Sequence, residues 1–262
     1  MRSLLLLALL GVRCAAAAPV VDVGPGECFM LASLDGGAPR VWGGAECTLA
    51  TAPASTFKVP HALIALETGV VDPKVAVPWD GSDQPFETWK RAHTLASSLQ
   101  WSVYPYYRRT AGLIGEERMH AMLKKLRYGS DTFERELTSF WTNGDLVISP
   151  AEQVDFLRRM FRYELPVARA NVDMVKAALL MPPGHITNAA GTHDFVLPRT
   201  VTAVRAKTGN TRVGEERVSW LVGHVEVGKK EYVFAARKRA KGALDTTSGA
   251  EVARAALARL FR

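Results

Sequence analysis

The sequence has 262 residues, 48% hydrophobic and 23% charged, with a formal charge of +7 and three cysteines. That balance excludes a disordered chain and leaves enough mass for a sizeable core, either one large domain or one domain with an inserted lobe. The basic residues are scattered, as in Lys124-Lys125, Arg158-Arg159 and Lys229-Lys230. They read as solvated faces, so no nucleic-acid partner is expected.

Residues 1–17 read as a secretory signal. Arg2 gives a charged start, residues 4–12 a short apolar run and residues 15–18 small side chains for cleavage, with the cut after Ala17 because Pro19 follows so closely. The run is too short to span a bilayer. Arg13 argues against lipid attachment at Cys14, and no other segment is long and apolar enough to cross a membrane. A secreted, periplasmic protein without stable membrane insertion is expected, with residues 18–262 as a single domain. Cleavage would remove Arg2 and Arg13 and lower the charge accordingly.

Strands are predicted over residues 27–33 and 40–49, joined by the turn Asp35-Gly36-Gly37. Cys28 and Cys47 flank this hairpin, either paired in an oxidising compartment or as two separate buried thiols. A buried helix follows, opening at Ser55 and stopping at Gly69. Residues 70–90 are loop. A helix over 94–101 is broken at Ser102-Val103-Tyr104-Pro105, because the residue before a proline avoids the helical region. Two short helices follow over 105–114 and 116–127, then a loop over 128–144 anchored by Phe140-Trp141. Ser149-Pro150-Ala151-Glu152 is a capping box with proline at the first helical position, opening a helix to about residue 163. Another helix spans 171–180. The C-terminal part supplies a strand over 201–207, a hairpin of 218–227 and 231–237 around Gly228-Lys229, and a last helix over 248–261. Strands at both ends and helices between predict an α+β domain: a central antiparallel sheet flanked by helices, with a helical lobe inserted.

Three motifs carry chemistry. In Pro53-Ala54-Ser55-Thr56-Phe57-Lys58-Val59-Pro60, Ser55 and Lys58 are three residues apart and share a helix face. A serine is a weak nucleophile until a base takes its proton, and a lysine is that base only if burial keeps it uncharged. A bare Ser-x-x-Lys arises about once by chance in a chain this long, so the pair needs support. Ser102-Val103-Tyr104 places a second hydroxyl at a helix break, where it can relay a proton. Lys207-Thr208-Gly209 closes a predicted strand. Its lysine and threonine suit a substrate carboxylate, and its glycine leaves the strand edge open.

In this order the three motifs resemble the signature of penicillin-recognising serine enzymes. The first stretch is similar to that of class D β-lactamases, the oxacillinases, as are Trp79-Asp80-Gly81, Tyr128-Gly129, Phe140-Trp141 with Gly144, residues 149–157, and Trp220 with Gly223. The resemblance covers about residues 25–262. It implies a β-lactamase/transpeptidase-like fold and hydrolysis of a small-molecule β-lactam through an acyl-enzyme on Ser55. It also implies that CO2 carboxylates Lys58 to N6-carboxylysine, the general base, and that no other cofactor and no metal is needed. Trp141 would donate to that carbamate, Ser102 would shuttle a proton to the lactam nitrogen, and the N–H groups of Ser55 and Asn210 would form the oxyanion hole. Lys207 and Thr208 would hold the drug's carboxylate beside Gly209, and the protein would act as a monomer or homodimer.

The sequence departs from the family at several points. Tyr104 stands where valine is usual, next to the lysine, which it would crowd or hydrogen-bond. Ser130 replaces an asparagine and Ala92 an acidic residue. The family's carboxylate-binding arginine aligns with Gly249, with Arg237 or Lys238 as substitutes. The rivals to hydrolysis are a β-lactam sensor that is acylated without turnover, a penicillin-binding peptidase, and a weakly active family member. The six histidines lack metal-ligand spacing, which sets aside a zinc enzyme, and no Gly-x-Ser-x-Gly elbow is present.

Overall fold

The sheet of the computed structural model, which describes residues 21–262, draws its strands from both ends of the chain. The signal assignment lies outside the described residues. β1 (Glu27–Ser33) and β2 (Arg40–Trp42) come first. The helical lobe follows as α1 (Lys58–Glu67), α2 (Leu95–Gln100), α3 (Tyr104–Ile114), α4 (Glu116–Leu126), α5 (Pro150–Phe161) and α6 (Arg169–Ala178). A small hairpin, β3 (His185–Asn188) and β4 (Gly191–Asp194), leads to β5 (Val201–Val213), β6 (Glu216–Val227), β7 (Lys230–Lys241) and α7 (Ser248–Leu260). The main sheet has the order β2-β1-β7-β6-β5 and is antiparallel throughout. This is the expected α+β architecture.

Successive side chains on a strand point to opposite faces, so a sheet covered on both sides needs two cores. Cys28, Met30, Trp220, Val222 and Ala235 pack toward the helical lobe. Phe29, Leu31, Leu221, Phe234 and Ala236 pack toward Ala253, Ala256 and Leu257 of α7. The capping box at α5 forms as expected: Ser149 Oγ accepts from Glu152 N at 3.2 Å, and the Glu152 carboxylate accepts from Ser149 N at 2.7 Å.

Several boundaries differ from the sequence reading. The strand expected over 40–49 ends at Trp42, because Gly43 and Gly44 take φ of 118° and 52° and turn the chain into a 3-10 segment, Gly44–Cys47. A Cβ at Gly43 would lie 2.4 Å from Glu27 O, so only glycine fits. That turn brings Cys47 to Cys28, and the two form a disulfide. Ser55 lies in a 3-10 turn, Ala54–Phe57, and the α-helix begins at Lys58. β5 runs six residues past Lys207, held along its length by β6. The β3–β4 hairpin was not anticipated.

Candidate active site

Several elements fix the turn that carries Ser55. Ala54 takes φ of 51°, a conformation costly for a residue with a Cβ and one that persists only where the surroundings enforce it. Its N–H donates to Trp141 O at 2.8 Å. Thr56 Oγ1 donates to Pro53 O at 2.7 Å and accepts from Gln153 Nε2 at 2.8 Å. Trp220 Nε1 on β6 donates to Ala52 O at 3.1 Å. Gly209 on β5 passes so close that a Cβ would lie 2.9 Å from both Pro53 O and Thr56 Cγ2. The glycine therefore lets the strand approach the Ser55 turn, in addition to the open edge expected from the sequence.

Lys58 Nζ lies 2.6 Å from Ser55 Oγ. The lysine is wholly buried, and desolvation holds its pKa well below the usual range, with the Lys207 charge lowering it further. Its amine stands 5.7 Å from the ring centroid of Tyr104 and 5.4 Å from that of Tyr107. Trp141 is fully buried, and its indole N–H has no hydrogen-bond partner.

The other motifs converge on the same place. Ser102 takes φ of 56° at the break between α2 and α3, which swings its hydroxyl to within 3.0 Å of Lys207 Nζ. Lys207 also lies 3.3 Å from Thr208 Oγ1, and burial lowers its pKa to about 7. Ser55, Ser102, Tyr104, Thr208, Gly209 and Asn210 line one cleft of about 320 Å³. Lys58, Trp141 and Lys207 stand buried behind it. Every residue singled out in the three motifs is thus brought together. The sequence reading missed two walls of the cleft. Phe86 and Trp89 come from the loop, and Asn188, Ala189 and Ala190 come from the β3–β4 turn. Neither segment shows a periodic pattern that would have flagged it.

A family model for the penicillin binding protein transpeptidase domain matches residues 37–260. The chain belongs to that family. Within the family it resembles the class D β-lactamases. It is 39% identical over 184 residues to β-lactamase OXA-48 of Klebsiella pneumoniae, spanning 70% of this chain and 64% of the relative. It is 30% identical over 210 residues to regulatory protein BlaR1 of Bacillus licheniformis, spanning 79% of this chain and 32% of that protein. Among solved structures, the class D β-lactamase YbXI from Nostoc superposes with a TM-score of 0.78 at 28% identity, covering 89% of this chain and 93% of its own. The C-terminal domain of the Bacillus licheniformis BlaR penicillin-receptor gives a TM-score of 0.77 at 27% identity, covering 88% and 89% of the two chains.

The departures from the class D pattern have visible causes. Gly249 N donates to Ser219 Oγ at 2.9 Å, and a Cβ there would lie 2.7 Å from Ser219 O, so no arginine fits without lifting α7 off β6. Arg237 does not replace it. Its guanidinium is buried over the Trp220 ring and donates to Glu46 O at 2.6 Å and to the Glu46 carboxylate at 3.1 Å. Lys238 is paired with Glu27 at 2.9 Å. The Tyr104 ring presents its face to Lys58 Nζ at 5.7 Å from the centroid, while its hydroxyl donates to Thr138 O over a long 3.4 Å. Ser130 Oγ accepts from Val147 N at 3.2 Å and so closes its loop.

Proposed function

We propose that the protein opens β-lactam rings through an ester on Ser55. The observation that carries this reading is the 2.6 Å approach of Ser55 Oγ to Lys58 Nζ, an amine whose charged form burial disfavours. Lys58 takes the Ser55 proton as Oγ attacks the lactam carbonyl carbon. The N–H groups of Ser55 and Asn210 receive the oxyanion. The ring C–N bond then breaks, and its nitrogen takes a proton from Ser102, which Lys207 resupplies. With its pKa lowered to about 7, Lys207 gives up a proton readily at neutral pH. Lys207 and Thr208 also hold the substrate carboxylate. Lys58 returns the proton it took from Ser55 to the Ser102–Lys207 relay, which restores both lysines, and then deprotonates a water that attacks the ester carbon. Its C–O bond breaks and returns the electron pair and a proton to Ser55.

Lys58 fits carboxylation by CO2. A neutral amine forms an N–C bond with CO2 and releases one proton, and the partnerless indole N–H of Trp141 is a donor waiting for an anionic oxygen. Bound there, the carbamate would supply an anionic oxygen as the base for the water step. No metal and no further cofactor enters this reading. The proposed setting is the periplasm, and the proposed state is a monomer or homodimer.

The test is hydrolysis of a chromogenic cephalosporin by the mature protein, with and without bicarbonate, beside Ser55→Ala and Lys58→Ala. Turnover over many equivalents, raised by bicarbonate and abolished by both substitutions, is the expected result. A single-equivalent burst would favour the second reading, a receptor, which the structural likeness to the BlaR penicillin-receptor supports.

A further inference from the structure

The compartment behind Ser55 contains more unpaired hydrogen-bonding capacity than Trp141 alone. His61 lies one helical turn beyond Lys58 on α1, is completely buried, and has no partner at either ring nitrogen. Tyr107 Oη is likewise buried and without a partner. Ser98 lies near it outside hydrogen-bond geometry and donates its own hydroxyl to Leu95 O at 2.8 Å. These groups are neighbours. The His61 ring is 5.5 Å from the Trp141 ring and 5.0 Å from the Tyr107 ring, and Tyr107 in turn is 5.4 Å from Lys58 Nζ.

Native interiors hold few buried polar groups without partners, so three in contact point to a missing binding partner. The inventory tells its sign. Trp141 has only a donor, while the Tyr107 hydroxyl and a neutral imidazole each have one donor and one acceptor. Donors outnumber acceptors, and oxygen acceptors carrying negative charge are the complement. Burial holds the His61 pKa down at about 3, so the ring is neutral, with one N–H to give. The side chains around it, Phe57 among them at 5.4 Å from the His61 ring, are aromatic.

We propose that His61 is a positioning residue for the carboxyl group on Lys58, giving it an N–H from the side of α1 while Trp141 gives one from the loop. The inference rests on the reading of Lys58 as a carboxylated lysine. It adds a residue directly after the first motif, one of the six histidines whose spacing does not suit a metal.

The test uses the mature protein labelled with 15N-histidine and titrated with 13C-bicarbonate. The Lys58 carbamate signal is identified by its loss in Lys58→Ala, and the His61 ring signals by their loss in His61→Gln. In the wild type, the His61 N–H resonance should shift in step with growth of the carbamate signal. His61→Leu should need about tenfold more bicarbonate for half-occupancy, and His61→Gln, which keeps a donor, should lie nearer the wild type. A carbamate that forms while the His61 resonance stays still, or that forms equally well in His61→Leu, overturns the role of His61 and leaves the carboxylation reading standing. No carbamate at all overturns both. If His61→Leu fails to fold, the wild-type titration decides alone.

Discussion

Lys58 and Lys207 each bury an amine that an unfolded chain would leave solvated and charged. Both folded pKa values are depressed, Lys207 to about 7, so the unfolded state binds more protons between the folded value and 10.5. Stability should therefore rise with pH through that window and fall again as pH drops back through it. Chemical denaturation between pH 6 and 10 will measure this. Lys58→Met, which removes one buried amine without a cavity, should be inactive yet more stable than the wild type at pH 7 by about 1–4 kcal/mol, with the gap closing toward pH 10. At the same scale, Lys207 loses its charge in alkali, so the KM for a carboxylate-bearing substrate should rise above pH 7 while Thr208 alone holds the anion. The convergence of Ser55, Lys58, Ser102 and Lys207 was legible because they stand in three motifs that together resemble a family signature. His61 was not legible, since a histidine in an apolar helix gives no sign of whether it will find a partner.

Between elements, the close packing of β5 on the Ser55 turn makes Gly209 a structural requirement. Gly209→Ala brings a methyl group 2.9 Å from Pro53 O and from Thr56 Cγ2, and the strand or the turn must yield. The expected cost is about 1–3 kcal/mol, with kcat/KM for a chromogenic cephalosporin reduced at least tenfold because Ser55 shifts from Lys58. Gly249→Arg should lower the melting temperature and leave substrate affinity unimproved, since the side chain must push α7 from β6. Strands that are nearly continuous apolar runs, such as residues 27–33 and 218–227, could be read from the sequence. The β3–β4 hairpin could not, because its two four-residue strands are short, polar and partly exposed. β2 was read too long because the alternation continues past Gly43 and Gly44, whose positive φ values end the strand.

At the scale of the molecule, two cores clamp the sheet from opposite faces, and the cleft opens where the helical lobe meets β5. The disulfide ties β1 to the segment that leads into Ser55. It closes a loop spanning 19 residues, so its removal by Cys28→Ser with Cys47→Ser should cost about 3 kcal/mol in a denaturation experiment. The overall plan was legible because strands at the two ends must pair across the inserted helices. The pairing of Cys28 with Cys47 depended on a glycine turn that spacing alone does not show.

The account stands or falls on whether an acyl group forms on Ser55 and then leaves. Rapid-quench mass spectrometry of the intact protein and of its proteolytic peptides during reaction with a cephalosporin follows both events. The account predicts an adduct that appears on the peptide containing Ser55, stays at steady state while product accumulates over many equivalents, and vanishes when substrate is spent. An adduct that persists after a single equivalent, or product formed with no adduct on Ser55, would contradict it.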